Sequence, residues 1–289
     1  MTSSPTRPLV RYHGGKWMLA KWIISHFPRH RVYVEPFGGA ASVLLQKPRS
    51  YAEVYNDLDG DVVNLFRVVR DRAAELTRSV HWTPWSRREF ELAYEPAEEP
   101  LEQARRFIVR AFMGFGTSGL MSGGRTGFRA VPYRVTQTGV HDWKNYPPSL
   151  ERVAERLRGV TIEHKAAEDV IVQQDSTETL FYCDPPYVHA TRSTIADSHR
   201  SYRHEMSNED HEVLADHLRS ADGMVLLSGY RGEIYDLLYH DWQRVERPAL
   251  ADGAAKRTEV LWMNPQAAAA AADMPLFGDP STRSAEVTG

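Results

Sequence analysis

One cysteine, Cys183, is all that the 289 residues contain. That excludes an intramolecular disulfide and any cysteine-rich zinc site. Twelve histidines are present, but none stands in an H-E-x-x-H pair or another metal-ligand spacing, so no metal is expected. No apolar run approaches the roughly 18–20 residues that span a bilayer. The start of the chain, from Met1 to Pro8, has no apolar h-region of a secretory signal. Cytoplasm is therefore the expected compartment, with no membrane partner. The glycine-rich segments show neither the G-x-x-x-x-G-K-[ST] spacing of a phosphate loop nor the G-x-G-x-x-G of a dinucleotide site. A net charge of −3 argues neither for nor against a polyanionic partner.

One further absence is local. Between Arg105 and Arg134 there are six arginines and no Asp or Glu, interleaved with Phe107, Phe112, Phe115, Phe128 and Tyr133. Such a stretch can supply phosphate contacts and stacking surfaces for nucleic acid. The competing reading makes the aromatics core and the arginines a solvated face. The remaining composition, 42% hydrophobic and 25% charged, is that of a globular chain with a substantial core.

Seven segments read as strands: Val32–Glu35, Tyr51–Asn56, Val160–Glu163, Thr179–Cys183, Gly223–Ser228, Trp242–Arg247 and Thr258–Met263. Helical patterns alternate with many of them, so the fold class is α/β, a sheet wound with crossover helices. Ser207 with Asp210 three residues on predicts a capping box for a helix over Asn208–Arg219. A helix is also expected over Leu101–Phe112, followed by a long irregular loop, Gly114–Gly127. Alternation fails between about Asp61 and Pro148, where helices and loops carry Trp82, Trp85 and Trp143. An inserted, mainly helical module over 61–149 follows, splitting the sheet into 1–60 and 150–265. The alanine run and polar residues of 266–289 read as a mostly disordered tail.

Asp184-Pro185-Pro186-Tyr187 directly follows the apolar run Thr179–Cys183. A carboxylate, a proline carbonyl and an aromatic ring are thereby fixed at a strand's C-terminal end, where open α/β sheets bind ligands. The group suits a planar ring bearing an amine. Asp184 and the Pro185 carbonyl can accept the two N–H bonds and free the nitrogen lone pair, an effect that strengthens as charge develops. Tyr187 can stack on the base, worth about 1–3 kcal/mol, and Pro186 stiffens the loop. Further upstream, Tyr33 to Ser42 runs from a strand through Gly38-Gly39 into a helix, as nucleotide-like cofactors require. About twenty residues later Asn56-Asp57 offers an acid for ribose hydroxyls; a helix N-cap is the alternative for Asp57. Gly14-Gly15-Lys16 can present a charge to a carboxylate or base, or be a surface turn. Cys183, inside the strand, reads as packing.

Tyr12, Gly14-Gly15-Lys16, Glu35-Pro36-Phe37-Gly38-Gly39-Ala40, Asn56-Asp57 and Asp184-Pro185-Pro186-Tyr187 stand in the order found in the Dam-type (D12 class) DNA adenine-N6 methyltransferases, and Ser228-Gly229-Tyr230 and Arg257–Pro265 resemble that family's closing strands. The resemblance covers most of residues 9–265. It implies a Rossmann-like, seven-stranded methyltransferase sheet dependent on S-adenosylmethionine, with 61–149 as a DNA target-recognition domain. It implies that Tyr12, Lys16, Phe37, Gly38, Gly39 and Asp57 line the cofactor site, with Asp184 between cofactor and amine and Tyr187 stacked on a flipped adenine of double-stranded DNA. Where many relatives carry an Asp-Phe pair after the third strand, this chain reads His164-Lys165-Ala166-Ala167-Glu168-Asp169, and no adenine-contacting residue is assigned. Arg125, Arg129, Arg134, Tyr202 and Arg203 are candidate DNA contacts, the last two in a lid over Ala190–Glu205. Asp273-Met274-Pro275-Leu276-Phe277 resembles a sliding-clamp-binding peptide. The alternatives are an amino-methyltransferase acting on RNA adenine or cytosine N4, or a catalytically silent DNA-binding relative.

Overall fold

The computed structural model describes residues 5–12, 14–115, 124–130, 139–187, 203–250 and 256–272. Seven strands form a single sheet: β1 Val32–Glu35, β2 Ala52–Asn56, β3 Val160–Glu163, β4 Thr179–Cys183, β5 Met224–Tyr230, β6 Gln243–Leu250 and β7 Lys256–Met263. Their order is β3-β2-β1-β4-β5-β7-β6. Neighbours from β3 to β5 are parallel, and β7 runs antiparallel between β5 and β6. This is the Rossmann-like sheet expected, with strand bounds close to those read from the sequence.

Parallel strands need both faces covered, and the sequence supplies two apolar sets with a period of two. Tyr33, Tyr55, Leu180, Tyr182, Leu226 and Leu261 enter one hydrophobic cluster. Their neighbours Val34, Val54, Phe181, Cys183, Leu227 and Trp262 enter the other. The second face is covered by helices Ala167–Gln174, Asn208–Ser220 and Glu233–Leu238. Ser207 and Asp210 form the capping box reciprocally, as the spacing predicts. Cys183 is buried, and desolvation pushes its thiol far above the ordinary range.

Between β2 and β3 the described residues form the helices Gly60–Asp71, Ala73–Trp82, Arg87–Leu92, Pro100–Met113, Gly139–Lys144 and Pro147–Leu157, joined by irregular segments. Phe66, Leu76, Phe107 and Leu150 join the same cluster as Tyr33 and Leu180. These helices are therefore docked on the sheet through one continuous core. Three of the six arginines between 105 and 134 are engaged within the protein. Arg105 is buried and binds Glu89 at 2.8 Å, Glu102 at 2.7 Å and the Thr83 hydroxyl at 3.1 Å. Arg106 donates to Glu102 and to the Glu95 and Pro96 carbonyls. Arg110 donates to the Ala93 carbonyl at 2.6 Å. Phe107 and Phe112 are core, whereas Phe115 is exposed.

The alanine run departs from the tail reading. Pro265–Ala272 is a helix, started by Asn264, whose side chain accepts from the Ala267 N–H at 2.9 Å. Alanine has the highest helix propensity, and buried Ala267 anchors the turn against the sheet. The clamp-like peptide from Asp273 to Phe277 lies outside the described residues, as do Arg134, Tyr202 and most of the 190–205 segment.

Candidate active site

At β1 the strand order changes direction: β2 and β3 lie to one side, β4 and β5 to the other. Val34 pairs with Phe181, so β1 and β4 end side by side. Their C-terminal loops, Pro36–Gly39 and Asp184–Tyr187, therefore diverge from a common edge and open a crevice, as such switch points do. A cavity of about 300 Å³ occupies it, walled by Tyr12, Lys16, Phe37, Gly38, Gly39, Asp57, Asp184 and Pro186 among others. Six of the expected cofactor residues and the expected catalytic acid thus share one cavity. Lys165, Ala166, Ala167 and Glu168, after β3, also line it.

The glycine loop is shaped by protein neighbours. A Cβ at Gly38 would lie 2.1 Å from the Tyr55 ring, and Gly39 adopts φ +47 with Tyr12 3.0 Å from its absent Cβ. Tyr55 donates to the Gly39 carbonyl at 2.7 Å. Asp57 ties the same loop to β2, accepting from the Gly39 N–H at 2.7 Å and the Asp59 N–H at 2.8 Å. The helix N-cap is Asp59, not Asp57. Asp57 is half-buried, and desolvation pushes its carboxyl up to about 6 despite those two N–H donors. Asn56, which the sequence reading left without a role, joins three segments. It donates to the Pro36 and Lys165 carbonyls and accepts from the Lys165 N–H.

The floor beside Asp184 is ionic. The Lys16 ammonium lies 3.0 Å from Asp184 Oδ1 and 3.5 Å from Glu259 Oε1, and donates to the Gly14 carbonyl at 2.9 Å. Ser228 Oγ donates to Asp184 Oδ1 at 2.8 Å and is 3.0 Å from the Tyr182 hydroxyl. The Lys16 and Ser228 contacts thus converge on Oδ1. Tyr187 does not line the cofactor-sized cavity. Its hydroxyl donates to Glu259 Oε1 at 2.6 Å, its ring meets Tyr230 edge-on at 4.5 Å, and Lys16 Nζ lies 4.7 Å from its centre. Glu259 and Ser228 were missed as site residues. A lone acid in the apolar run Val260-Leu261-Trp262-Met263 was the available signal for the first. Glu35 is buried, accepting from the Tyr33 hydroxyl and the Leu44 N–H, and desolvation pushes it up to about 7.

Among the described DNA-contact candidates, Arg203 binds Asp59 and Asp61 at 3.1 Å each, on the cavity rim. Arg125 is exposed, its guanidinium 5.0 Å from the Tyr94 ring centre. Arg129 is half-buried, its backbone N–H donating to the Met113 carbonyl.

Seven carboxylates against three Lys or Arg side chains line the cavity, a balance that suits a positively charged ligand. Its volume falls at the small end of the range for ligand cavities. The residues thus fit S-adenosylmethionine, whose sulfonium is cationic. No group of three His, Cys, Asp or Glu is placed to hold a metal among the described residues. Nor is any described helix long and apolar enough to cross a membrane.

Comparison with known proteins agrees with this geometry. The chain is 24% identical over 263 residues to a DNA adenine methylase of Salmonella typhi, covering 87% of this chain and 92% of that protein. It is 27% identical over 264 residues to the DNA adenine methylase of Serratia marcescens, with the same coverage of both chains. For that of Vibrio cholerae the identity is 25% over 218 residues, 73% of this chain and 75% of the relative. Residues 12–249 match the D12 class N6 adenine-specific DNA methyltransferases. The chain belongs to that family, and it is an S-adenosylmethionine-dependent DNA adenine methyltransferase.

Proposed function

We propose that Asp184 and Tyr187 grip an adenine flipped out of double-stranded DNA, in a short sequence read by the 61–149 insert. The observation that carries this reading is Asp184 itself, fixed at the end of β4 on the wall of the cofactor cavity with Oδ1 held by Lys16 and Ser228. S-adenosylmethionine, when bound, supplies a methyl group on a cationic sulfur. The chain's own residues do the rest. Asp57 accepts from the ribose hydroxyls, and Tyr12 and Phe37 border the same space. Asp184 and the Pro185 carbonyl accept the two amine N–H bonds, so the nitrogen lone pair turns outward as its charge develops. Neither residue forms a covalent bond to the base.

Extruding the base costs a few kcal/mol, and stacking on Tyr187 offsets about 1–3 kcal/mol of it. Arg125, Arg129, Arg134, Tyr202 and Arg203 supply backbone contacts around the extruded base. A cytoplasmic location follows from the DNA substrate, and the reaction as written uses no metal. The Asp273–Phe277 peptide is proposed to touch a sliding clamp, which a pull-down with and without residues 273–289 tests. Sequencing with modification detection on DNA from cells expressing the gene tests the main reading. N6-methyladenine at one short motif is expected; N4-methylcytosine, or modified RNA alone, contradicts it.

A further inference from the structure

Glu259 is an acid that the sheet could do without. It is 2% exposed on β7, followed by Val260, Leu261 and Trp262, each fully buried or nearly so. A buried carboxylate is costly unless it is paired and hydrogen-bonded. An apolar side chain would pack there at lower cost, so its charge calls for a purpose other than stability. Among the described residues, its side-chain contacts are to Tyr187, part of the proposed amine clamp, and to Lys16, which holds Asp184. Glu259 Oε1 accepts from the Tyr187 hydroxyl at 2.6 Å and lies 3.5 Å from Lys16 Nζ. Across the β5–β7 ladder Glu259 pairs with Tyr230, whose ring meets that of Tyr187 edge-on. The two strands thus hold Tyr187 from two directions, Glu259 by its hydroxyl and Tyr230 by its ring.

The second consequence concerns Asp184. The Lys16 ammonium lies between two carboxylates, 3.0 Å from Asp184 and 3.5 Å from Glu259. Without the second, Asp184 would be the one of these two carboxylates left to the ammonium, which also donates to the Gly14 carbonyl. The ammonium would then draw electron density from the carboxylate that must accept from the amine. Sharing the cation keeps Asp184 a strong acceptor while its orientation stays fixed.

We infer that Glu259 is a positioning residue for methyl transfer, pinning the Tyr187 ring through its hydroxyl and dividing the Lys16 charge with Asp184. This rests on the roles given above to Asp184 and Tyr187. Its test uses Glu259→Gln and Tyr187→Phe, singly and together, with unmethylated plasmid DNA and labelled S-adenosylmethionine. Binding of S-adenosylhomocysteine is measured by calorimetry alongside. Glu259→Gln lowers kcat at least tenfold with S-adenosylhomocysteine affinity within twofold of wild type. The double variant is no more than twofold slower than Glu259→Gln, because Gln replaces the charged acceptor of the Tyr187 hydroxyl by a weaker, neutral one and both changes therefore act on the same link. A kcat within twofold of wild type overturns the inference, as do fully additive losses or an equal loss of S-adenosylhomocysteine binding. Should Glu259→Gln not fold, Tyr187→Phe decides: kcat falls at least fivefold at unchanged S-adenosylhomocysteine affinity, and an unchanged kcat overturns the assignment. Wild-type protein that methylates no adenine would instead defeat the underlying reading.

Discussion

The Tyr55 ring fills the space that a side chain at Gly38 would need, its Cε2 only 2.1 Å from where a Cβ would lie. The Tyr55 hydroxyl then reaches past Gly38 to the Gly39 carbonyl. The glycine loop is therefore seated on β2 before any ligand arrives. Gly38→Ala forces the ring or the loop to move, and overpacking of this kind typically costs about 1–3 kcal/mol. A lower thermal midpoint together with weaker S-adenosylhomocysteine binding is expected. An unchanged midpoint would show that the ring yields freely.

Asp57 should make cofactor binding pH-dependent. Its carboxyl is pushed up to about 6 by desolvation, so it ionises as the pH rises from 5 to 7. If only the ionised form accepts the ribose hydroxyls, S-adenosylhomocysteine affinity increases about tenfold across that interval. Asp57→Asn is expected to bind more weakly and to flatten the profile. Calorimetry at several pH values measures both, and a wild-type profile that is already flat removes Asp57 from the ribose role.

Glu35 should affect stability instead. Burial raises its folded-state value to about 7 from 4.5. For a carboxyl raised on folding, the stabilising contribution is present at low pH and is lost as the pH rises from about 4.5 through 7. The loss is on the order of 3 kcal/mol for a shift of this size. Relative to Glu35→Gln, the wild type is therefore expected to lose stability over this window and to level off above it. Denaturant midpoints of both proteins between pH 4.5 and 8.5 test this; a constant difference contradicts it.

Arg203 is bound to Asp59 and Asp61 on the cavity rim, whereas it is proposed to meet DNA phosphate. The two roles separate by salt dependence. Arg203→Ala is expected to reduce the slope of log affinity for duplex DNA against log salt by about one. A purely structural role would leave that slope unchanged and lower the thermal midpoint.

Much of this site was legible in the linear sequence because its parts sit at strand ends. Thr179–Cys183 is an apolar run stopped by prolines, which places Asp184 at a strand's C-terminal end. Tyr33–Glu35 followed by glycines located the glycine loop of the cavity in the same way, although the helix expected after it is absent and residues 42–46 form turns. Glu259 was not legible as a site residue, since its partners Lys16 and Tyr187 are 243 and 72 residues away. The β5–β7 register sets Glu259 beside Tyr230, and the turns around Lys16 and Tyr187 then meet it in space. The partners of the basic stretch were hidden for a related reason. Arg105 has no acid after it in the sequence up to Arg134, yet helix packing sets Glu89 against it, and Glu102 one turn earlier completes the network. The alanine run of 267–272 reads as part of a disordered tail, but high helix propensity and the Asn264 cap make Pro265–Ala272 a helix.

The central claim is that Asp184 carries the transfer to adenine N6, and it is tested most directly by comparing wild type with Asp184→Ala. The measurement is N6-methyladenine formed in unmethylated DNA, quantified by mass spectrometry, with S-adenosylhomocysteine binding and the thermal midpoint as controls for folding. The account predicts N6-methyladenine from the wild type and a loss of at least a thousandfold in the variant, which stays folded. N6-methyladenine formed by a folded Asp184→Ala protein at a rate near that of wild type would contradict it.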